Sequence, residues 1–245
     1  VKPTQDDVQE FQRQTAKSPF DPFDLRGQQW NLVESNQAEI ACTVCPYGKI
    51  LWIKPFGTQL KPRLRIWGRI LQWYGNRFCR IFWFPSLNPR RMPSNGDTLN
   101  PGHVNGGYTI PCDTQQIVIY RKEDAERVLF HELSHSSCLD DMNEAIELRE
   151  ARTEFWAEMW LAAFFSKGSL AQAKRLWKHQ AQWIVNQDAI LRIIYHVNGP
   201  HHYVWRYTIG REVIANQLRI PLPSPSLTKS RSLRLGAPIF DTLSI

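Results

Sequence analysis

Apolar and polar residues alternate through AEIACTVC, residues 38–45, and again over 49–54, a period of two that predicts two short strands. Residues 1–35 before them are polar and broken by Pro3, Pro19 and Pro22, which predicts an arm with little core of its own. The period then changes. In PRLRIWGRILQWYG, residues Leu64, Trp67, Ile70, Leu71 and Tyr74 recur at helical spacing with arginines on the other side, and RFCRIFWF returns to a β-rich run. The prolines and the Asn-Gly pair of PSLNPRRMPSNGDTLNPGH exclude a regular element there.

NGGYTI and QQIVIYR read as two short strands separated by a Pro-Cys-Asp turn, and KEDAERVLFHELSHSSC as a helix that opens on acidic residues, as its dipole favours. From Asn143 onward the pattern is helical, over about 143–166, 169–195 and 202–217, with breaks at Ser-Lys-Gly and at VNGPHH. Beyond Ile220, Pro221, Pro223 and Pro225 stand among serines and basic residues, the composition of an extended tail. The expected fold class is α+β, a small mixed sheet with a motif-bearing helix and then a mainly helical C-terminal half. Its expected organisation is an arm over 1–35, one domain over 36–220 and a tail over 221–245.

Composition adds limits. A chain of 245 residues, 42% hydrophobic, with ten tryptophans and twelve phenylalanines, can bury a sizeable core in one domain. Apolar runs such as Met159 to Phe165 are too short to cross a bilayer, and no charged, apolar and small-residue succession opens the chain, so no membrane partner is expected and the protein reads as intracellular and non-secreted. The five cysteines, Cys42, Cys45, Cys79, Cys112 and Cys138, are odd in number and scattered, poor material for a disulfide framework and suited to a reducing compartment. Cys42 and Cys45 form a CxxC without a second pair, which reads as strand packing, with metal or redox work as the alternative. The net charge of +7 draws on Lys61, Arg63, Arg65 and Arg69 and on Lys229, Arg231 and Arg234. Such patches can hold nucleic acid, but no nucleic-acid-binding motif accompanies them, and a solvated basic face accounts for them more simply.

The candidate chemistry lies in HELSHSSCLDD, residues 131–141. Side chains four apart share a helix face, so His131 and His135 can bind one ion while Glu132 points beside it toward a water. Ala125, Val128 and Leu129 form an apolar stripe ahead of the histidines, which argues for a docked helix against the competing account of two surface histidines. A catalytic zinc needs a third protein ligand and an open position. Glu154, separated from His135 by eighteen residues, is preferred; Glu150, Glu158 and Asp141 are the alternatives. Phe155 to Phe165 is apolar on every side except at Glu158, and a buried carboxylate needs a cation, a metal or a donor. Glu158, or Glu150 in its place, would then take the free ring N–H of a ligating histidine. Against this, Glu147, Glu150, Glu154 and Glu158 can form a charged stripe paired with Arg149 and Arg152. Asp141 falls where HExxHxxGxxH and HExxHxxGxxD enzymes place their last ligand, but Cys138 stands in place of their turn-forming glycine.

With HExxH, the eighteen-residue gap, and TEFWAE standing where such enzymes carry an NExxAD-like segment, the chain resembles the gluzincin division of zinc metallopeptidases. More narrowly, LNPGHVNGGYT, IVIYRKEDAERVLFHELSH and EARTEFWAE are similar to HExxH proteins of large DNA viruses and their relatives that are classed as metallopeptidases. The similarity runs from about Ile81 to about Glu158, has a weaker echo in WRYTIGRE, and departs at Glu158, where aspartate is usual.

The resemblance implies a zincin-like domain, a Zn2+ cofactor, a polypeptide substrate and a virus-encoded protein of host cytoplasm or virion. It also implies an edge strand antiparallel to bound substrate just before the motif helix. NGGYTI is placed for it, with Asn105, Gly106, Gly107 and Tyr108 binding substrate and the glycines admitting a peptide backbone; a simple bend at Gly106 and Gly107 is the alternative. Glu132 would be the general base. A tyrosine or histidine of the C-terminal half would stabilise the oxyanion, Tyr207 by preference, or His201, His202 or Tyr203. A non-catalytic zincin-like scaffold of the virion and a basic nucleic-acid-binding protein are the rival functions, and no oligomeric state is specified.

Overall fold

A computed structural model describes residues 1–16, 25–75, 77–94, 97–226 and 230–244. In chain order its elements are α1 (Gln5–Arg13), α2 (Leu25–Glu34), β1 (Ala38–Cys45), β2 (Gly48–Pro55), α3 (Leu64–Tyr74), β3 (Cys79–Trp83), α4 (Pro101–Val104), β4 (Gly107–Tyr108), β5 (Ile117–Ile119), α5 (Ala125–Ser136), α6 (Ile146–Phe165), α7 (Leu170–Ile194) and α8 (Gly210–Gln217). Two 3-10 segments, Tyr203–Tyr207 and Pro238–Thr242, complete it. The fold is mixed α+β, as expected. The chain forms two compact units, Val1–Asn88 with Gly106–Leu139, and Pro89–Asn105 with Asp140–Ile245.

The first unit is built on a five-stranded sheet of order β1-β2-β3-β5-β4. β1 and β2 form an antiparallel hairpin, β2, β3 and β5 run parallel, and β4 is antiparallel to β5 at the edge, with Gly107 opposite Ile119 and Tyr108 opposite Val118. One face of the sheet presents Leu51, Ile53, Phe82, Phe84, Val118 and Tyr120 to Phe11, Leu25 and Trp30 of α1 and α2. On the other face Trp83 packs against Trp67 of α3, ring centroids 5.6 Å apart. Cover on both faces explains why β3 and β5 read as continuous apolar runs, whereas the outer strand β1 alternates. Cys42 and Cys45, three apart on β1, point to opposite faces, which suits the packing account of the CxxC.

Residues 1–35 are therefore not an arm without core. Thr4 caps α1 in a capping box with Asp7, Phe11 is fully buried, and Lys49 of β2 ion-pairs with Asp7. Among the described residues of this polar stretch, Val8, Phe11, Leu25, Trp30, Leu32 and Val33 pack in the core on the sheet. Pro19 and Pro22 lie outside the described residues. The proline-rich loop also holds one regular turn. Asn100 caps α4 and Pro101 opens it, an ordinary helix start hidden by the surrounding prolines.

In the second unit α6 packs against α7 and α8, and two apolar clusters hold it together, one around Leu191, Val204, Trp205 and Leu233, the other around Phe155 and Ile214. The single helix expected over 202–217 is divided. Thr208 (φ −126, ψ −99) leaves helical geometry between the 3-10 segment and α8. The tail is docked, not extended into solvent. Leu233 and Leu235 are fully buried, Leu233 N–H donates to Arg90 O (3.0 Å), and Gln180 donates to Leu235 O (2.8 Å). Three well-spaced apolar residues, Leu233, Leu235 and Phe240, outweigh the basic and proline-rich composition around them. Two of the tail's three named cations have partners in this unit, Arg234 with Asp241 and Arg231 with Pro93 O. Lys229 lies outside the described residues. No helix among the described residues is long and apolar enough to cross a membrane.

Candidate active site

Helix α5 is seated by contacts along its length. Arg127 pairs with the buried Asp124 at its start (3.0 Å), and Trp67 donates to Glu126 (3.1 Å). The hydroxyl of Tyr74 donates to Phe130 O (2.9 Å) and meets Ser134 Oγ (2.9 Å). Burial pushes the Tyr74 phenol up to about 12, so it stays a neutral donor. Apart from Glu126, every residue of α5 is buried. The surface-histidine account is thereby excluded.

His131 and His135 are 6% and 7% exposed, and their Nε2 atoms are 2.9 Å apart. The rings meet edge to face at 77° with centroids 4.6 Å apart. Two nitrogens each about 2.0–2.1 Å from one tetrahedral zinc would be roughly 3.3 Å apart. The pair converges to within a few tenths of an ångström of that spacing, so its donors fit such an ion.

Glu132, also buried, is held against the edge strand. A methyl group on Gly107 would lie 2.7 Å from Val118 O, 2.7 Å from Val128 Cγ1 and 2.9 Å from Glu132 Oε1. Gly107 is not among the glycines with positive φ, so a bend does not explain it. The space left by its missing side chain is filled by α5, which brings the Glu132 carboxylate up to the backbone of β4. Tyr108, the next residue, turns its side chain to the opposite face. Arg26 donates to its hydroxyl (2.9 Å) and lies over its ring, and that hydroxyl donates to Gln14. The side chain of Tyr108 thus ties β4 to the N-terminal helices. Gly106 O accepts from Tyr120 N–H (2.9 Å) within the sheet.

Beyond α5 the chain turns at Cys138, whose φ of 59° is the left-handed conformation that a glycine would take in an HExxHxxG turn. Cys138 is disulfide-bonded to Cys112 in the β4–β5 connection. The expectation of unpaired cysteines is corrected here, because two cysteines 26 positions apart in sequence are brought together by the packing of α5 on the sheet.

The second unit gathers a different subset of the expected residues. Tyr203 donates to Asn105 Oδ1 (3.0 Å), and its hydroxyl is 3.3 Å from that of Tyr207. Desolvation, and next the Glu150 carboxylate, hold the Tyr207 phenol well above its ordinary value, so it remains protonated and able to donate. Asn105, Tyr203 and Tyr207 therefore form one polar group, and the Glu150 carboxylate is near enough to act on Tyr207. His201 is not part of it by any described contact; it is exposed, with its ring against His202 and Gly199. Asp141 is exposed and accepts from Asn143 N–H (2.9 Å).

Glu154 is buried and lies in the field of Arg211. Glu158 has a cation. Arg211, fully buried, donates to Glu158, to Gln187 (2.9 Å), to Asp188 (3.3 Å) and to Thr208 O (2.9 Å). The burial of Glu158, taken from sequence as a sign of a role beside the metal, is accounted for by this guanidinium. The signal that would have found it is an arginine on the apolar face of α8, three and four residues before Ile214 and Ala215. The alternative of a charged stripe on α6 paired with Arg149 and Arg152 is redirected, since Arg206 takes Glu147 (3.1 Å) and Arg152 takes Glu144 (2.6 Å).

No family model matches the chain, and neither curated proteins nor solved structures give a significant match.

Proposed function

We propose that the protein is a zinc-dependent peptidase. The observation that carries this reading is the buried His131 and His135 pair with converging Nε2 atoms, next to a glutamate held against an edge strand. The third ligand, on the spacing of the sequence, is a glutamate of α6. Glu154 is the preferred one and Glu150 the alternative, both on α6. A bound zinc ion would supply Lewis acidity, acidifying a water and polarising the scissile carbonyl.

The side chains do the rest. Glu132 takes the proton of the attacking water on its carboxylate and later delivers it to the leaving amine. An extended substrate pairs along β4, whose position at the sheet edge suits strand addition; Tyr207 is the donor to the developing oxyanion only as the resemblance implies. The test is Glu132→Gln, assayed on an unfolded polypeptide mixture with zinc content measured alongside. Cleavage should fall by about 10²–10⁴-fold with zinc stoichiometry and folding unchanged. Undiminished cleavage by the variant would remove Glu132 from the mechanism, and a zinc-loaded parent that cuts nothing would favour the non-catalytic scaffold.

A further inference from the structure

The Cys112–Cys138 disulfide closes a loop that contains β5 and the whole of α5. Both cysteines are exposed. The N–H groups of Cys112 and Cys138 both donate to the carbonyl of His135, at 2.9 and 3.1 Å. That carbonyl lies in the last turn of α5, where a helix has lost its own donors and frays most readily. His131 stands one turn further in, where Tyr74 grips the carbonyl of Phe130 from α3. The two candidate ligands are thus secured differently, His131 by packing and His135 by two segments that a covalent bond joins.

We propose that the Cys112–Cys138 disulfide is a reducible clamp on the His135 end of the HExxH helix, through which thiol redox state controls how firmly the histidine pair holds its metal. The inference deepens the zinc reading and rests on it. The reductant is a dithiol. One of its thiolates attacks an exposed sulfur, forming a mixed disulfide and expelling the other cysteine as a thiolate that takes up a proton. The second thiol of the reductant then displaces the remaining cysteine. The dithiol leaves as a cyclic disulfide, having given two electrons and two protons, and Cys112 and Cys138 are left as thiols. In the bonded form both cysteines hold left-handed conformations (φ 65° and 59°) that non-glycine residues adopt uncommonly, so without the bond the turns that hold the His135 carbonyl relax.

The experiment uses the full chain in three forms, oxidised, reduced with dithiothreitol and desalted under inert gas, and the Cys112→Ser/Cys138→Ser double variant. Zinc affinity is read by competition with a chromogenic chelator, and amide hydrogen exchange is followed along α5. The oxidised chain should bind zinc on the order of tenfold more tightly than the reduced one, and the double variant should match the reduced chain with or without dithiothreitol. Exchange on reduction should quicken at the last turn of α5 while β2 and β3 stay protected. Equal affinities in the two states, or a double variant that still responds to dithiothreitol, overturn the clamp. If no form binds zinc, the zinc reading fails, and exchange decides the clamp alone: quickening confined to the end of α5 upholds the mechanical claim, and unchanged exchange refutes it.

Discussion

Gly107→Ala probes the packing that brings Glu132 to the edge strand. The added methyl would lie 2.7 Å from Val118 O, 2.7 Å from Val128 Cγ1 and 2.9 Å from Glu132 Oε1. Unstrained carbon contacts lie at about 3.3–4.0 Å, so each pair must open by roughly 0.5–1 Å. Val118 O belongs to the ladder partner of β4 and cannot withdraw without disturbing that pairing. Val128, on α5 itself, is β-branched, stiff and buried with 2% exposure. Glu132 is the one neighbour that can move, and its carboxylate is expected to be displaced. Overpacking of this kind costs about 1–3 kcal/mol. Misplacing a catalytic group by about 1 Å costs on the order of 10²-fold in rate. Urea unfolding measures the first quantity and peptide cleavage the second, with zinc content as the control, since neither histidine is touched. A variant within about 0.5 kcal/mol of the parent and equally active would show that β4 and α5 are not in this contact.

Two further changes test the second unit. Asp188 is fully buried, and desolvation pushes its carboxyl up to about 8 in spite of Arg211. The folded state then keeps a proton that the unfolded chain loses near pH 4, so stability from this group is full below about pH 4 and declines as pH rises toward 8. Asp188→Asn should flatten that decline, and identical urea midpoint slopes against pH for parent and variant would contradict it. Leu235→Ala should cost about 2–5 kcal/mol, because the side chain is fully buried in the docked tail. Thermal melting followed by tryptophan fluorescence would detect the loss, and a shift no larger than that of a surface substitution would mean that the tail is free.

Much of the local structure was legible. Strand β1 occupies the predicted span 38–45, and α5, α6 and α7 fall within a few residues of their expected limits. These elements depend on periodicity and on caps a few residues away. Ser169 starts α7 by accepting from Gln172 N–H, and nothing distant is needed. The exceptions are instructive. Residues 1–35 and the tail were judged by average polarity, yet Phe11, Leu233 and Leu235 show that a few apolar residues at the right places suffice to dock a segment. Average composition does not report where the apolar residues stand.

What the amino-acid order determined by itself is the histidine pair with its adjoining glutamate, because an i, i+4 spacing on a helix is a property of one turn. That Glu158 meets Arg211, that Cys112 meets Cys138, and that Gly107 makes room for Glu132 were decided only by the tertiary structure. Each joins residues between 25 and 53 positions apart, and no local pattern marks such partners. A buried carboxylate demands a cation, but its neighbours in the chain do not say which. That choice is made where elements pack, since only there do desolvation and close contact separate one partner from the rest.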